Sequence, residues 1–423
     1  MKENIETTRF TNGLTILTEK MPDVRSATIS FFFKRGSRHE PKHLNGICHF
    51  IEHTVFKGTE KRSPLDIAIE TDRLGGNFEA FTSHEETVFA MKVVDKQISQ
   101  AFDLLADMIA NPKFDDKELK REQKVIIEEM KMVEDSPEEF LGEIFFHELF
   151  KDQTLALPIT GTRKTVKTFN QKITRDFHQT VFQPQNLIIS AAGNLEHQEI
   201  VKLAEKFFGN HKANLETSEI SPQTQIFSPI LLKQKSELEQ VHFLIATPYV
   251  SATSDKRYAA SLLGNILGGG TSSRLWQKIR EEKGLAYSVG ASGMTLQDCG
   301  VFQVFAATSP DNFKQTVDLS IAEMRKIKTD GVSLDELRLA KDQTLASILL
   351  GLEDSGVRAG NLAQSEATHG RQISIDETLQ NLENVTISEI QQIADEYFKT
   401  ENISLIGLGN FKGLKIKRER LEI

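Results

Sequence analysis

From Thr7 to Arg38 apolar and polar residues alternate on either side of Asn12-Gly13, which is the pattern of a strand, a tight turn and a second strand. A helical period follows from His43 to Phe56 and stops at Lys57-Gly58, a basic last turn with a glycine after it. "SPLDIAIETDRLGG" reads as another amphipathic helix, and "NFEAFTSHEETVFAMKVV" as a hairpin. Apolar residues then recur at helical spacing from Asp95 to Ala110 and from Asp115 to Met132. Strands first and helices after them predict an α+β fold, with mostly antiparallel sheets and helices packed on one face.

The pattern repeats. "VFAMKVVDKQISQAFDLLADMIANPKFDDKELKREQ" is echoed by "VFQVFAATSPDNFKQTVDLSIAEMRKIKTDGVSLDELRLAKDQ", and between the halves lies a polar, aperiodic stretch with two prolines. Two homologous domains are therefore expected, residues 1–211 and 230–423, joined by a linker over 212–229. With Glu118-Leu119 aligned on Glu336-Leu337, Glu122 falls on Ala340 and Glu129 on Ser347. The second copy thus keeps the fold pattern and drops the carboxylates, which points to chemistry rather than folding as their purpose.

Composition changes the picture little. The 423 residues carry a net charge of -9, which disfavours nucleic acid as a partner, and no apolar run is long enough to cross a bilayer. Two distant cysteines and the absence of a cleavable leader after Met1 lead to the expectation of a reducing cytoplasm.

The candidate chemistry sits in "NGICHFIEHTVFKGT". On a helical wheel His49, Glu52 and His53 share one sector, while Leu44, Ile47, Phe50, Ile51 and Val55 fill the other. Two imidazoles four residues apart can bind one cation, and the glutamate beside them lies near it. A third ligand is sought on the helix from Asp115, where Glu122 and Glu129 interrupt a stripe of Leu119, Val125 and Ile126. Carboxylates in an apolar stripe are costly unless a cation meets them. Other polar groups read more simply: His84, Glu85 and Glu86 as a hairpin turn, His147-Glu148 as part of a packed helix, Cys48 as a buried thiol, and "LKIKRER" as a solvated tail.

His49-x-x-Glu52-His53, with Glu129 76 residues after His53 and Glu122 one heptad earlier, resembles the inverted zinc motif of the insulinase or pitrilysin peptidase family, with the spacing of its mitochondrial-processing-peptidase branch and of a bacterial type. "LGGGTSSRLWQKIREEKGLAYSV" is similar to that family's noncatalytic-domain signature. The resemblance implies one Zn2+ per chain on His49, His53 and Glu129, with Glu52 as general base and Glu122 orienting a ligand histidine. It also implies that Arg280 and Tyr287 of the second domain close over substrate in a clamshell, while peptide adds as a strand along Glu79, Ala80 and Phe81. Glu79 stands where the family commonly has asparagine. The expected activity is zinc-dependent endopeptidase action on short or unfolded peptides within a closing chamber, by a homodimer. The alternative is a noncatalytic scaffold or a processing-peptidase-like subunit of a larger complex.

Overall fold

The sequence halves each build one sheet. The computed structural model describes residues 3–211 and 224–423, so most of the expected linker lies outside the described residues. In the first half β1 (Ile5–Arg9), β2 (Thr15–Lys20), β3 (Ser26–Phe33), β4 (Asn77–Thr82), β5 (Thr87–Val94) and β6 (Leu187–Gly193) form a six-stranded sheet in the order β1-β2-β6-β3-β5-β4. In the second half β7 (Ile230–Gln234), β8 (Val241–Tyr249), β9 (Ala286–Thr295), β10 (Gly300–Thr308) and β11 (Ser404–Gly409) form a five-stranded sheet in the order β7-β11-β8-β10-β9.

The two orders superimpose once β1 is set aside. β2 runs parallel to β6 as β7 does to β11, and every other neighbouring pair is antiparallel. The internal repeat is thus a repeat of topology, and the mixed α+β class holds in both halves. The turn at Asn12-Gly13 forms as the sequence requires, with Gly13 at φ +91°.

Helices cover one face of each sheet. In the first, the helix Ile98–Ala110 lays Ala101, Phe102 and Leu105 onto Ile29, Phe31 and Phe89 of β3 and β5. In the second, Phe313, Val317 and Ile321 of the helix Phe313–Asp330 join Phe243 and Val304 in the core. Full burial of one such side chain is worth about 1.5–3 kcal/mol, so these faces dominate the stability of each unit.

The chain divides into two compact units, and neither is continuous. One comprises Met1–Met132, Leu157–Ile220 and Leu349–Ile375; the other comprises Val133–Ala156, Ser221–Ile348 and Asp376–Ile423. A division at 211 and 230 captures the sheets but not two helices. The helix Ser355–His369 packs Leu362 and Ala363 against Leu17, Phe32 and Ile188 on the otherwise bare face of the first sheet. Its Arg358 makes a buried ion pair with Glu19 of β2. Conversely, Leu141 and Phe145 of the helix Pro137–Leu149 pack with Val301, Ile406 and Leu408 on the second sheet.

Candidate metal centre

The motif helix runs Ile47–Thr54, shorter than the periodicity suggests, because 3-10 turns at Lys42–Leu44 and Val55–Lys57 take up its ends. It starts at Gly46, whose φ of +92° and close approach to Gly161 leave no room for a side chain. No N-cap side chain follows from the sequence pattern. Glu40 does that work: its buried carboxylate accepts from the backbone N–H groups of Gly46 at 2.7 Å and Cys48 at 2.8 Å. Burial pushes this carboxyl up to about 7, against the lowering effect of those same N–H groups.

Ile47, Phe50, Ile51 and Val55 are fully buried, which fixes the helix rotation and turns His49, Glu52 and His53 to the other side. The helix Asp116–Asp135 meets that side. Its Leu119 and Ile126 are buried and Glu122 is only 5% exposed, but Val125, expected in the same stripe, is exposed. The buried band is therefore narrower than the wheel suggests, and the carboxylates lie close to its rim.

His49 Nε2 stands 3.6 Å from Glu129 Oε1, and His53 Nε2 stands 3.6 Å from Glu129 Oε2. These separations exceed a hydrogen bond. They match the edge of a tetrahedron around an ion with bonds of about 2.0–2.2 Å, whose donors stand roughly 3.4 Å apart. One donor atom from each of the three residues lies within 4.8 Å of the others, and among the described residues no other group of histidine, cysteine or carboxylate side chains does so. Glu129 Oε2 is buried without a hydrogen-bond partner, as is His49 Nδ1. An acceptor left bare beside two imidazoles is what a cation would satisfy. The residues therefore fit a zinc ion.

The surrounding groups orient this set. Glu122 Oε2 lies 3.4 Å from His53 Nδ1, and its Oε1 lies 2.9 Å from Lys57 Nζ. Burial would raise the Glu122 carboxyl, but the hydrogen bonds and charges of His53 and Lys57 hold it below its ordinary value. For Glu129 the neighbouring His49 imidazole leads, and the pKa is again lowered despite burial. Glu52 receives a 2.7 Å hydrogen bond from Thr82 Oγ1 on β4. Sequence reading missed Lys57, Thr82 and Glu40. Lys57 carried a signal, four residues after His53, but passed as an ordinary basic helix end.

β4 pairs only with β5 and forms the edge of its sheet. Phe78 packs edge-on against Phe56, and Ala80 packs on the core beneath the motif helix. Glu79 and Phe81 point the other way and are exposed, with Asn77 donating to Glu79 at 2.8 Å. In the second unit Arg280 and Tyr287 do come together. The guanidinium lies 4.0 Å from the Trp276 ring centroid and 4.3 Å from that of Tyr287, and its Nη1 donates to the Tyr287 carbonyl at 3.0 Å. Tyr287 is 78% exposed. The glycine run before them lies at a kink in the helical segment Asn265–Gly269, where Gly268 leaves helical geometry at φ -155° and ψ 16°.

Comparison with known proteins shows the family. Residues 15–163 match the family described as insulinase (peptidase family M16), and residues 168–344 match the peptidase M16 inactive domain. A Rickettsia bellii protein named an uncharacterized zinc protease is 36% identical over 98% of this chain and 100% of its own length. The Bacillus subtilis uncharacterized zinc protease YmxG is 34% identical over 93% of this chain and 95% of its own. Among solved structures, a protease from Helicobacter pylori superimposes with a TM-score of 0.88 at 22% identity, covering 96% of this chain and 100% of that one. A chain of Complex III2 from Candida albicans reaches 0.85 at 19% identity, over 99% of this chain and 100% of that one, so the fold also occurs outside the named proteases. With a relative this similar over nearly its whole length and both family domains in order, the chain belongs to the M16 (insulinase) peptidase family.

Proposed function

We propose that this chain is a zinc-dependent endopeptidase acting on short or unfolded peptides. The convergence of His49, His53 and Glu129 donor atoms within 4.8 Å carries the reading. In it, those three residues hold one Zn2+ per chain, which when bound supplies a Lewis acid for the scissile carbonyl and for water. Glu52 accepts the proton of the attacking water and delivers it to the leaving amine, while the Thr82 hydroxyl fixes which carboxylate oxygen is free to do so. Glu122 holds His53 through Nδ1, leaving Nε2 for the metal.

Substrate adds as a strand to the free edge of β4 at Glu79, Ala80 and Phe81, where backbone groups are available. Arg280, held between two rings, presents the Tyr287 phenol from the second, noncatalytic unit to the substrate carbonyl, and closure of the two units completes the chamber. In this reading the chain works as a homodimer in the cytoplasm; its two cysteines are free and buried, and among the described residues no helix is long and apolar enough to cross a membrane. The complete ligand set weighs against a noncatalytic scaffold.

Zinc-replete wild-type protein should cleave a quenched unfolded peptide, a chelator should abolish cleavage, and Glu52→Gln should lower kcat by about 10²–10⁴ while metal analysis finds zinc retained. A metal-replete wild type that cleaves nothing, or a Glu52→Gln protein that cleaves equally well, overturns the reading.

A further inference from the structure

On the face of the first sheet opposite the histidines, a groove of about 550 Å³ runs between the edge strands and the helix Ser355–His369. The strand pleat decides what enters it. Phe78, Ala80 and Thr82 of β4 face the motif helix, whereas Asn77, Glu79 and Phe81 line the groove. A strand added to β4 continues the same alternation. Its side chains opposite Ala80 and Thr82 go to the Glu52 side, and those opposite Glu79 and Phe81 go to the groove.

The groove has a charge and a shape. At one end Lys92 is neutralised by Asp354 at 2.8 Å. Glu79 and Glu86 also line it, and neither has a cationic partner among the described residues. Burial holds the Glu86 carboxyl above its ordinary value, opposed by the Ser83 hydroxyl and reinforced by neighbouring Glu85. Phe81 and Val357, both partly exposed and apolar, line the same groove. An aliphatic stem ending in a cation suits this arrangement: the stem lies on Phe81 and Val357 while the head reaches the carboxylates.

We infer that this groove is a specificity subsite that selects lysine or arginine at alternate positions of a peptide strand added to β4. It deepens the peptidase reading and rests on it for the placement of the peptide. Glu79 and Glu86 are then specificity residues, away from the reacting atoms.

The test uses the full chain carrying Glu52→Gln, so that bound peptide survives, and fluorescence anisotropy of labelled peptides in which one lysine or one norleucine is moved position by position. Lysine should bind about fivefold or more tighter than norleucine at every second position and at none between. That ratio should approach one in Glu79→Gln/Glu86→Gln. It should also fall in Gly360→Leu, because a Cβ at Gly360 meets open space and a larger side chain there fills the groove from a helix that tolerates it. A lysine preference without the two-residue phase, no preference at all, or one that survives in both variants overturns the inference. Cleavage of the norleucine peptide by zinc-loaded wild type is scored separately and bears only on the peptidase reading.

Discussion

His53 is held from both sides of its ring: Glu122 faces Nδ1 and Glu129 faces Nε2, while Lys57 holds the far oxygen of Glu122. Removing the ammonium leaves a buried carboxylate to balance its charge on His53 alone. Lys57→Met should therefore weaken zinc binding by about tenfold in a chelator competition, with the fold intact by circular dichroism. Unchanged affinity would show that Lys57 is only a surface cation. Glu40 makes a second prediction. Its ordinary value is 4.5 and burial raises it to about 7, so the folded state holds this proton more firmly than the unfolded chain. Stability from this group is present below about 4.5 and is lost as pH rises towards 7. The Tm of wild type minus that of Glu40→Gln should fall steadily from pH 5 to pH 8; a constant difference would refute the shift. The cluster of His49, His53 and Glu129 was legible because four-residue spacing and a misplaced carboxylate are sequence signals. Glu40 and Thr82 were not, since a cap from six residues upstream and a hydroxyl from a neighbouring strand have no fixed spacing to read.

Elements follow the same logic. Hairpin β4–β5 and the helix Pro64–Leu74 were legible, the first from two apolar stretches either side of a polar turn and the second from its amphipathic pattern; in the structure Ser63 and Asp66 form a capping box at its start. The helix Leu334–Gly351 begins with a similar signal, and there the cap doubles as an ion pair. Glu336 accepts from Ser333 N–H at 2.8 Å and from both Nε and Nη2 of Arg274, at 2.6 and 2.9 Å. Burial would raise its carboxyl, but Arg274 and the Ser333 N–H lower it to about 2 from 4.5. The sign is the reverse of Glu40: the stability is fully present above about 4.5 and is lost as pH falls through about 2. In urea unfolding, the destabilisation caused by Glu336→Gln should be about 1–3 kcal/mol at pH 6 and shrink by about half at pH 3. A penalty that does not change with pH would mean that the pair contributes only geometry.

At the scale of the whole chain, periodicity showed two repeated sheets but not which helix covers the far face of each. A helix declares that it has an apolar stripe and says nothing about its partner when the partner is more than 300 residues away. Arg358 and Glu19 pair across such a distance, and Leu362 and Ala363 lie with Leu17 and Phe32 from the opposite end of the sequence and with Ile188 from its middle. A fragment ending at residue 211 therefore lacks the cover of its own sheet. It would leave those side chains in water, strip Glu19 of its Arg358 partner, and expose a contiguous apolar patch of the kind that drives association. Such a fragment, expressed alone, should bind a hydrophobic dye and elute as aggregate. Supplying residues 349–375 as a separate chain should lower the dye binding to what Leu141 and Phe145 of the helix Pro137–Leu149, cut off from the second sheet, still cause, and Arg358→Met in that chain should reduce the rescue. A well-behaved, cooperatively folding fragment 1–211 would show instead that the helix only rests on a sheet stable without it, and that the two units can be separated at the linker.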